Sequence, residues 1–422
     1  MLLALLLAAQ VTQVADAADE KHPLEIDLEV SFSHSRRETR ITRENSAVDE
    51  LHHLSTVDEV VPRLTFGLYH DLELHLYAPF VIREVQDFRL YDPARSTLAN
   101  NTIEPSGCAR VGACVTVSPI VLAPGESRRQ GFRDPTVGIA WSPINEDREL
   151  QLKPSLFPDG HALATWAVGF DYTMPLPGPV DDPSRLGRAT AFSLGGPPAD
   201  NVESRKAHVF SLWTAWSKRF RVAEPYLRLT ASLPFAMRSK AYDNCAHPEL
   251  LTDVAAANCA AEWKGLTGYK PPIEGILTFG SELVVRRSPQ REDRLAFDVR
   301  GEARYHGPGR DYTQVTDALG KLTYAGEYAT FTGAAGFTAE VGGWLRGKVY
   351  GFAGFDTPHF LTAEDVGDEK DAVPGIQLSG GSGRPAPDQN PNYDFRLDQV
   401  GKRLHAEAAF LWGLSASLTI VF

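Results

Sequence analysis

Apolar and polar residues alternate with a period of two along much of this chain. The pattern is clearest in the last twelve residues, LWGLSASLTIVF. A period of two puts alternate side chains on opposite faces of a β-strand, so one face of this strand meets an apolar medium. That face carries Trp412, Leu414, Ala416, Leu418, Ile420 and Phe422.

The same alternation recurs in earlier segments and predicts about twelve strands. The first, 24–33, alternates leucine, isoleucine, valine and phenylalanine with glutamate, aspartate and serine. The other predicted strands cover 64–68, 72–80, 137–141, 166–174, 209–220, 227–235, 277–285, 295–305, 329–341, 344–355 and 411–422.

Long connections alternate with short turns between these strands. Such sorting is typical of outer-membrane barrels, which have short turns on one side and long outer loops on the other. We therefore predict an all-β fold, a single transmembrane antiparallel up-and-down β-barrel over residues 18–422. A secreted β-sandwich or an array of soluble hairpins is the alternative. The predicted outer loops are 34–61, 81–131, 176–205, 238–272, 307–326 and 357–404.

Aromatic residues gather at the ends of the predicted strands, as expected of the two aromatic girdles of a barrel in lipid. One predicted girdle contains Trp141, Trp166, Trp216, Phe220, Tyr226, Trp344 and Phe422. The other contains Phe32, Phe80, Tyr172, Phe210, Tyr305 and Phe355.

The first seventeen residues, MLLALLLAAQVTQVADA, are typical of a signal peptide with a small-x-small cleavage site, although no basic residue precedes the apolar stretch. After them, no run approaches the roughly 18 apolar residues of a spanning helix. A net charge of -12 argues against a nucleic-acid partner. The expected location is the cell outer membrane of a Gram-negative envelope, with outer-membrane lipids as partners.

Four cysteines form two close pairs within loop-like sequence, Cys108 with Cys114 and Cys245 with Cys259. Exported chains oxidise such pairs, so we predict two local disulfides. A metal site is the alternative, but neither pair has Cys-x-x-Cys spacing.

Charged residues between the apolar positions are predicted to face the lumen. Acidic ones fall on early strands and basic ones mainly on late strands, so two walls of opposite sign would face each other and could orient a polar or zwitterionic solute. Alternatively, the charges pair and plug the barrel. The candidates are Glu25, Asp27, Glu29, Glu73, Asp171, Arg228, Arg286, Arg300, Arg304, Arg346 and Lys348.

No catalytic motif is evident. The histidines are isolated, and neither Gly-x-Ser-x-Gly nor His-Glu-x-x-His occurs. The acidic stretch 364–371 lacks the ligand spacing of an EF-hand, so a solvated loop is favoured over a calcium site. We therefore expect no enzyme activity, no metal and no cofactor.

Two local patterns resemble a known family. They are PRLTFGL at 62–68 with its partner LELHLYAP at 72–79, and GFRDPTVG at 131–138. Both are similar to segments of the MetA-pathway phenol-degradation family of outer-membrane transporters. The resemblance implies passage of small hydrophobic compounds, whereas a charged lumen favours polar solutes. The ending on Phe422 likewise resembles the signature by which the barrel assembly machinery recognises outer-membrane barrels.

Two functions follow from these observations. The first is a channel or porin-like transporter that conducts a small solute through a charged lumen. The second is a docking barrel of an envelope complex for polysaccharide export or motility, with the long outer loops as the interaction surface for its partner proteins.

Overall fold

A computed structural model describes residues 24–44, 49–69, 71–90, 125–146, 164–183, 200–201, 204–220, 222–248, 251, 259, 266–288, 293–367, 390–394 and 396–422. The predicted signal peptide, 1–17, lies outside them. The strands are β1 (Ile26–Arg43), β2 (Asp49–Tyr69), β3 (Leu72–Tyr77), β4 (Phe80–Leu90), β5 (Gly125–Phe132), β6 (Thr136–Ile144), β7 (Thr165–Thr173), β8 (Asp200–Asn201), β9 (Ala207–Ser217), β10 (Ala223–Ala236), β11 (Glu274–Ser288), β12 (Asp293–His306), β13 (Gly309–Asp311), β14 (Thr323–Ala325), β15 (Tyr328–Val341), β16 (Leu345–Asp356), β17 (His359–Phe360), β18 (Leu404–Ala406) and β19 (Ala409–Val421). A short helix, α1 (Thr316–Leu319), and a 3₁₀ turn (Asn244–Ala246) accompany them.

Seventeen of these strands belong to one sheet, while β13 and β14 form a separate hairpin. Several strands continue one another, as β3 and β4 do along β2, so the wall is a closed antiparallel barrel of twelve strand positions. The last strand, β19, pairs with β1 from Phe410 opposite Glu38 to Val421 opposite Asp27. Closure leaves no open edge between first and last strands, and the predicted barrel is confirmed.

The outer face of the barrel is apolar. On β1 the exposed residues alternate with buried ones from Ile26 to Phe32, and on β19 they run through Leu414, which is 56% exposed. Residues that would form a core in a soluble protein therefore cover the outside, which is the surface that lipid solvates. The assignment of Tyr226 to an aromatic girdle is wrong, because this residue is only 7% exposed and points into the barrel.

Beyond this apolar band, β1 and β2 continue as a paired ribbon that the sequence predicts as the loop 34–61. Their pairing extends to Thr42 opposite Asp49. The outward positions there are polar, beginning with His34 and Arg36. The prediction failed because it required an apolar outer face, and a barrel that rises above the lipid does not need one.

The two ends of the barrel differ, although less regularly than the sequence predicts. One end, here the turn end, holds Ile26, Phe422 and tight turns such as Gly342–Gly343, whose positive φ angles of 61° and 72° suit glycine. β6 ends at Ile144 and β7 begins at Thr165, so more residues separate these two strands than a tight turn needs. At the opposite end, the cap end, only residues 44–48 join β1 to β2.

Connections at the cap end fold into the mouth of the barrel. We call their described parts, 237–248, 266–273, 307–327, 361–367, 390–394 and 396–403, the cap. Val315, Ala318 and Leu319 of the cap pack against Ile41 and Leu51 on the inner wall. On another side of the mouth, Tyr242 and Leu322 cluster with Ala207 of β9. The cap therefore contacts the wall on several sides. Among the described residues, no helix is long and apolar enough to cross a membrane.

Candidate functional site

A chamber of about 250 Å³ lies inside the barrel beneath the cap. Hydroxyls such as Ser35, Ser211 and Thr173 line it together with aromatic rings. The ring of Tyr328 is stacked between His306 and His359, with centroids 4.3 and 4.0 Å away. Because its lining combines stacked rings with hydroxyls, the chamber suits a small solute that has both a flat apolar part and polar groups. The ring-bearing residues of its lining are Tyr77, Tyr269, Tyr312, Tyr328, His53, His306 and His359.

A buried ion pair joins the cap to the wall. Asp317 in α1 accepts two hydrogen bonds from Arg129 of β5, at 2.7 and 2.6 Å, and a third from the hydroxyl of Ser127 at 2.8 Å. The Arg129 guanidinium holds the pKa of the Asp317 carboxyl below its usual value despite burial. A two-point contact of this kind fixes position as well as charge.

A second buried pair organises the cap itself. Arg310 donates to both carboxylate oxygens of Glu364, and its Nη1 also donates to the carbonyl oxygens of Leu266 and Gly268 at 2.8 and 3.0 Å. Asn390 donates to the same carboxylate at 3.0 Å. Three separate cap segments therefore meet at one guanidinium. Glu364 is the first residue of the predicted acidic loop; 368–371 lie outside the described residues.

Ten of the eleven candidate lumen charges face inward, nine of them on strands and Glu25 just before β1. Several are paired: Arg304 with Glu302 at 3.0 Å, and Arg346 with Glu340 at 3.2 Å. Opposite charges are therefore mixed along the wall rather than separated into two walls. The ten are Glu25, Asp27, Glu29, Glu73, Asp171, Arg228, Arg300, Arg304, Arg346 and Lys348.

Arg286 is the exception, since it lies on the outer face. A bulge between Val284 and Arg286 adds one residue to β11, and Arg286 pairs with the outward-facing Leu295. A one-residue shift exchanges the two faces of a strand, so strict alternation from Leu283 assigns Arg286 to the wrong face.

Below the chamber, His75 bridges two carboxylates across the barrel wall. Its Nδ1 lies 3.1 Å from Glu73 and its Nε2 lies 2.8 Å from Asp171. The contact with Asp171 passes over Gly138, where an added Cβ would lie 2.2 Å from both the histidine and the aspartate. Glycine at this position therefore permits the contact.

A second, smaller cavity of about 40 Å³ follows toward the turn end. Tyr77 and Asp171 line both cavities and so form the partition between them. Arg228 lines the smaller cavity, with its guanidinium 4.1 Å from the ring centre of Trp213. Within the described part of the chain, no carboxylate forms a salt bridge with Arg228.

Several of these residues were not singled out from the sequence. His75, Arg129, Arg310 and Asp317 bind partners that are distant in sequence, Arg129 and Asp317 being 188 residues apart. Alternation indicated the inward face of β3, and this was the only sequence signal for His75. The sequence around Asp317 does not indicate an ion pair, because Arg129 comes near this residue only when the cap folds into the barrel.

The disulfide between Cys245 and Cys259 is confirmed. The Cys108–Cys114 prediction falls outside the described residues. Phe422 ends the chain beside β1, exchanging backbone hydrogen bonds with Ile26. No group of three or more histidine, cysteine, aspartate or glutamate side chains is placed to hold a metal ion in the ranges that the structure covers.

No protein-family model matches this chain, and the curated proteins include no match. Solved structures do align with it. An outer membrane channel from Pseudomonas putida F1 is 10% identical, with a TM-score of 0.46 over 95% of this chain and 96% of that one. A Pseudomonas aeruginosa FadL homologue is 9% identical, with a TM-score of 0.34 over 95% and 90%. The CymD monoaromatic hydrocarbon channel is 10% identical, with a TM-score of 0.31 over 99% and 93%. These likenesses are too distant to identify a function.

Proposed function

We propose that this protein is an outer-membrane channel that conducts small solutes and is closed at one end by its cap. The observation that carries the proposal is the chamber. It is a cavity of about 250 Å³ with polar and aromatic lining, inside a closed barrel whose exterior is apolar. A barrel that served only as an anchor would not need an internal cavity between the cap and the partition formed by Tyr77 and Asp171.

Chemistry of the lining favours polar solutes over hydrocarbons. Arg133 lies 2.9 Å from Glu84 and Arg205 lies 3.3 Å from Asp311, and all four of these residues line the chamber. An apolar molecule there would separate charged groups from water without replacing their hydrogen bonds. The hydrophobic cargo implied by the phenol-degradation resemblance, and by the name of the CymD structure, is therefore the less favoured reading.

The docking alternative has less support from the described residues. The described parts of the long connections pack inside the mouth, with residues such as Leu361 and Leu397 fully buried. A docking surface would instead present such side chains to a partner. We therefore propose a non-enzymatic transport role. The barrel assembly machinery would be the partner during folding, and outer-membrane lipids would surround the folded barrel.

The test is conductance of refolded full-length protein in planar lipid bilayers, with folding verified by heat-modifiable migration on a gel. We expect discrete channel events that become more frequent when the cap is loosened. A folded barrel that shows no conductance, with or without cap-loosening substitutions, contradicts the proposal. Co-purification of a stoichiometric envelope partner would instead support docking.

A further inference from the structure

Arg228 differs from most charged side chains that face the lumen. Arg63 has Glu73 at 3.4 Å, Arg304 has Glu302 at 3.0 Å, and Arg294 has Glu282 at 2.7 Å. The guanidinium of Arg228 instead lies 3.4 Å from the hydroxyl of Thr230 and over the face of Trp213. Across the ranges that the structure covers, no carboxylate oxygen comes within 4.0 Å of its guanidinium.

The cavity beside Arg228 has this one charged lining residue for which no salt bridge is seen among the described residues. Its other charged lining residues are Arg63, Asp171 and Glu302, together with His75. Each of these has a partner of opposite charge or a bridging histidine, as described above. A guanidinium without a counter-ion binds one negative charge well, whereas the flanking carboxylates repel a second. The surroundings therefore favour a monoanion over a dianion such as phosphate.

The sizes of the two cavities limit what this anion can be. The smaller cavity, about 40 Å³, has room for about three water-sized groups, which is the size of a carboxylate but not of a ring. The chamber of about 250 Å³ lies directly across the Tyr77 and Asp171 partition. A molecule that spans the partition would put its carboxylate beside Arg228 and its body among the chamber aromatics.

Two further cationic side chains, those of Arg300 and Lys348, lie between this site and the turn end. Arg300 lies over the ring of Tyr350, at 4.6 Å, and its Nε is buried without a hydrogen-bond partner. Lys348 lies nearer the turn end in the strand register. Neither has a salt bridge to a described residue. Two more cations without a salt bridge to a described residue therefore lie between the Arg228 site and the turn end.

We propose that the smaller cavity is a selectivity site for small organic monocarboxylates, with Arg228 as the anion-binding residue. The proposal rests on the channel function proposed above and specifies its solute class. Arg228 holds the carboxylate by paired N–H donors, the chamber holds the body of the solute, and Arg300 and Lys348 attract the anion onward.

Binding of benzoate to the refolded full-length protein in detergent, measured by titration calorimetry, tests the site without requiring an open channel. Benzamide serves as the uncharged analogue of equal size. We expect benzoate to bind and benzamide to bind at least tenfold more weakly. Arg228→Gln should weaken benzoate binding at least tenfold, because it removes the charge and the paired donors. Arg286→Gln, on the outer face, is the matched control and should bind as the parent protein does.

Equal binding of benzoate and benzamide, or unchanged benzoate binding by a folded Arg228→Gln variant, overturns the proposal. If Arg228→Gln does not fold, Arg228→Lys retains the charge without the paired donors and should bind benzoate with intermediate affinity. Reversal potentials under a potassium chloride gradient complete the test. A conducting but cation-selective channel refutes the anion site alone, whereas absence of any conductance refutes the channel function.

Discussion

Replacing Asp317 with alanine tests whether the cap closes the barrel. The substitution removes two charge-assisted hydrogen bonds from Arg129 and one from Ser127, all between the cap and β5. Removing one partner of a buried ion pair typically costs about 3–5 kcal/mol. Asp181 lies 3.6 Å from the Arg129 Nε and remains as a partial partner, so the lower end of this range applies.

A loss of about 3 kcal/mol in the closed state corresponds to an increase of about 150-fold in the ratio of open to closed cap. Single-channel recording in planar bilayers measures that ratio as the open probability. Ser127→Ala removes one hydrogen bond to an ionised carboxylate, about 1.5 kcal/mol, and should raise the ratio roughly tenfold. Asp365→Asn, at an exposed cap position, is the matched control and should leave the ratio unchanged.

The order of effects is as informative as their size. We expect Asp317→Ala to exceed Ser127→Ala, and both to exceed Asp365→Asn. Folding of each variant is checked by heat-modifiable migration. If a folded Asp317→Ala barrel opens no more often than the parent protein, the pair does not hold the cap closed, and the assignment of the cap as the closed gate is refuted.

Three further predictions concern the wall and the cap. Gly138→Ala should lower barrel stability by about 1–3 kcal/mol, because the added methyl group displaces the hydrogen bond between His75 and Asp171 that passes over this glycine. Gly275 has open space around it, so Gly275→Ala is the control and should leave stability unchanged. Urea titration followed by gel shift measures both variants. Burial raises the pKa of Asp398 to about 7, so the folded cap holds a proton that the unfolded chain releases near pH 4, and cap stability should fall as pH rises from about 4 to 7. Hydrogen exchange of the cap measures this, and a slope that persists in Asp398→Asn would assign it to another group. Replacing Cys245 and Cys259 with serine opens a loop of 14 residues and should cost about 3 kcal/mol of local order, seen as faster proteolysis there; unchanged cleavage would show that other contacts hold the loop.

The sequence by itself determined the architecture. Alternation along strands such as 24–33 and 411–422 depends only on which residues follow one another, and lipid outside the barrel makes that pattern simple to interpret. The inward positions of Glu73, Asp171 and Arg228 followed from the same alternation. The prediction failed at Arg286, where a bulge breaks the pattern, and where strands extend beyond the apolar band, at 34–61 and within the predicted loop 81–131, which contains most of β4 and β5.

Only the tertiary structure decided which lumen charges are paired and which are not. Arg228 and Arg304 have the same sequence signal, an arginine between apolar outward residues, yet only one of them has a carboxylate within reach. Pairing depends on side chains from neighbouring strands and on cap segments far away in the chain, whose positions the local pattern does not specify. Coulomb energy falls with distance in space and not along the sequence, so which charges have a partner is decided only when the barrel is closed.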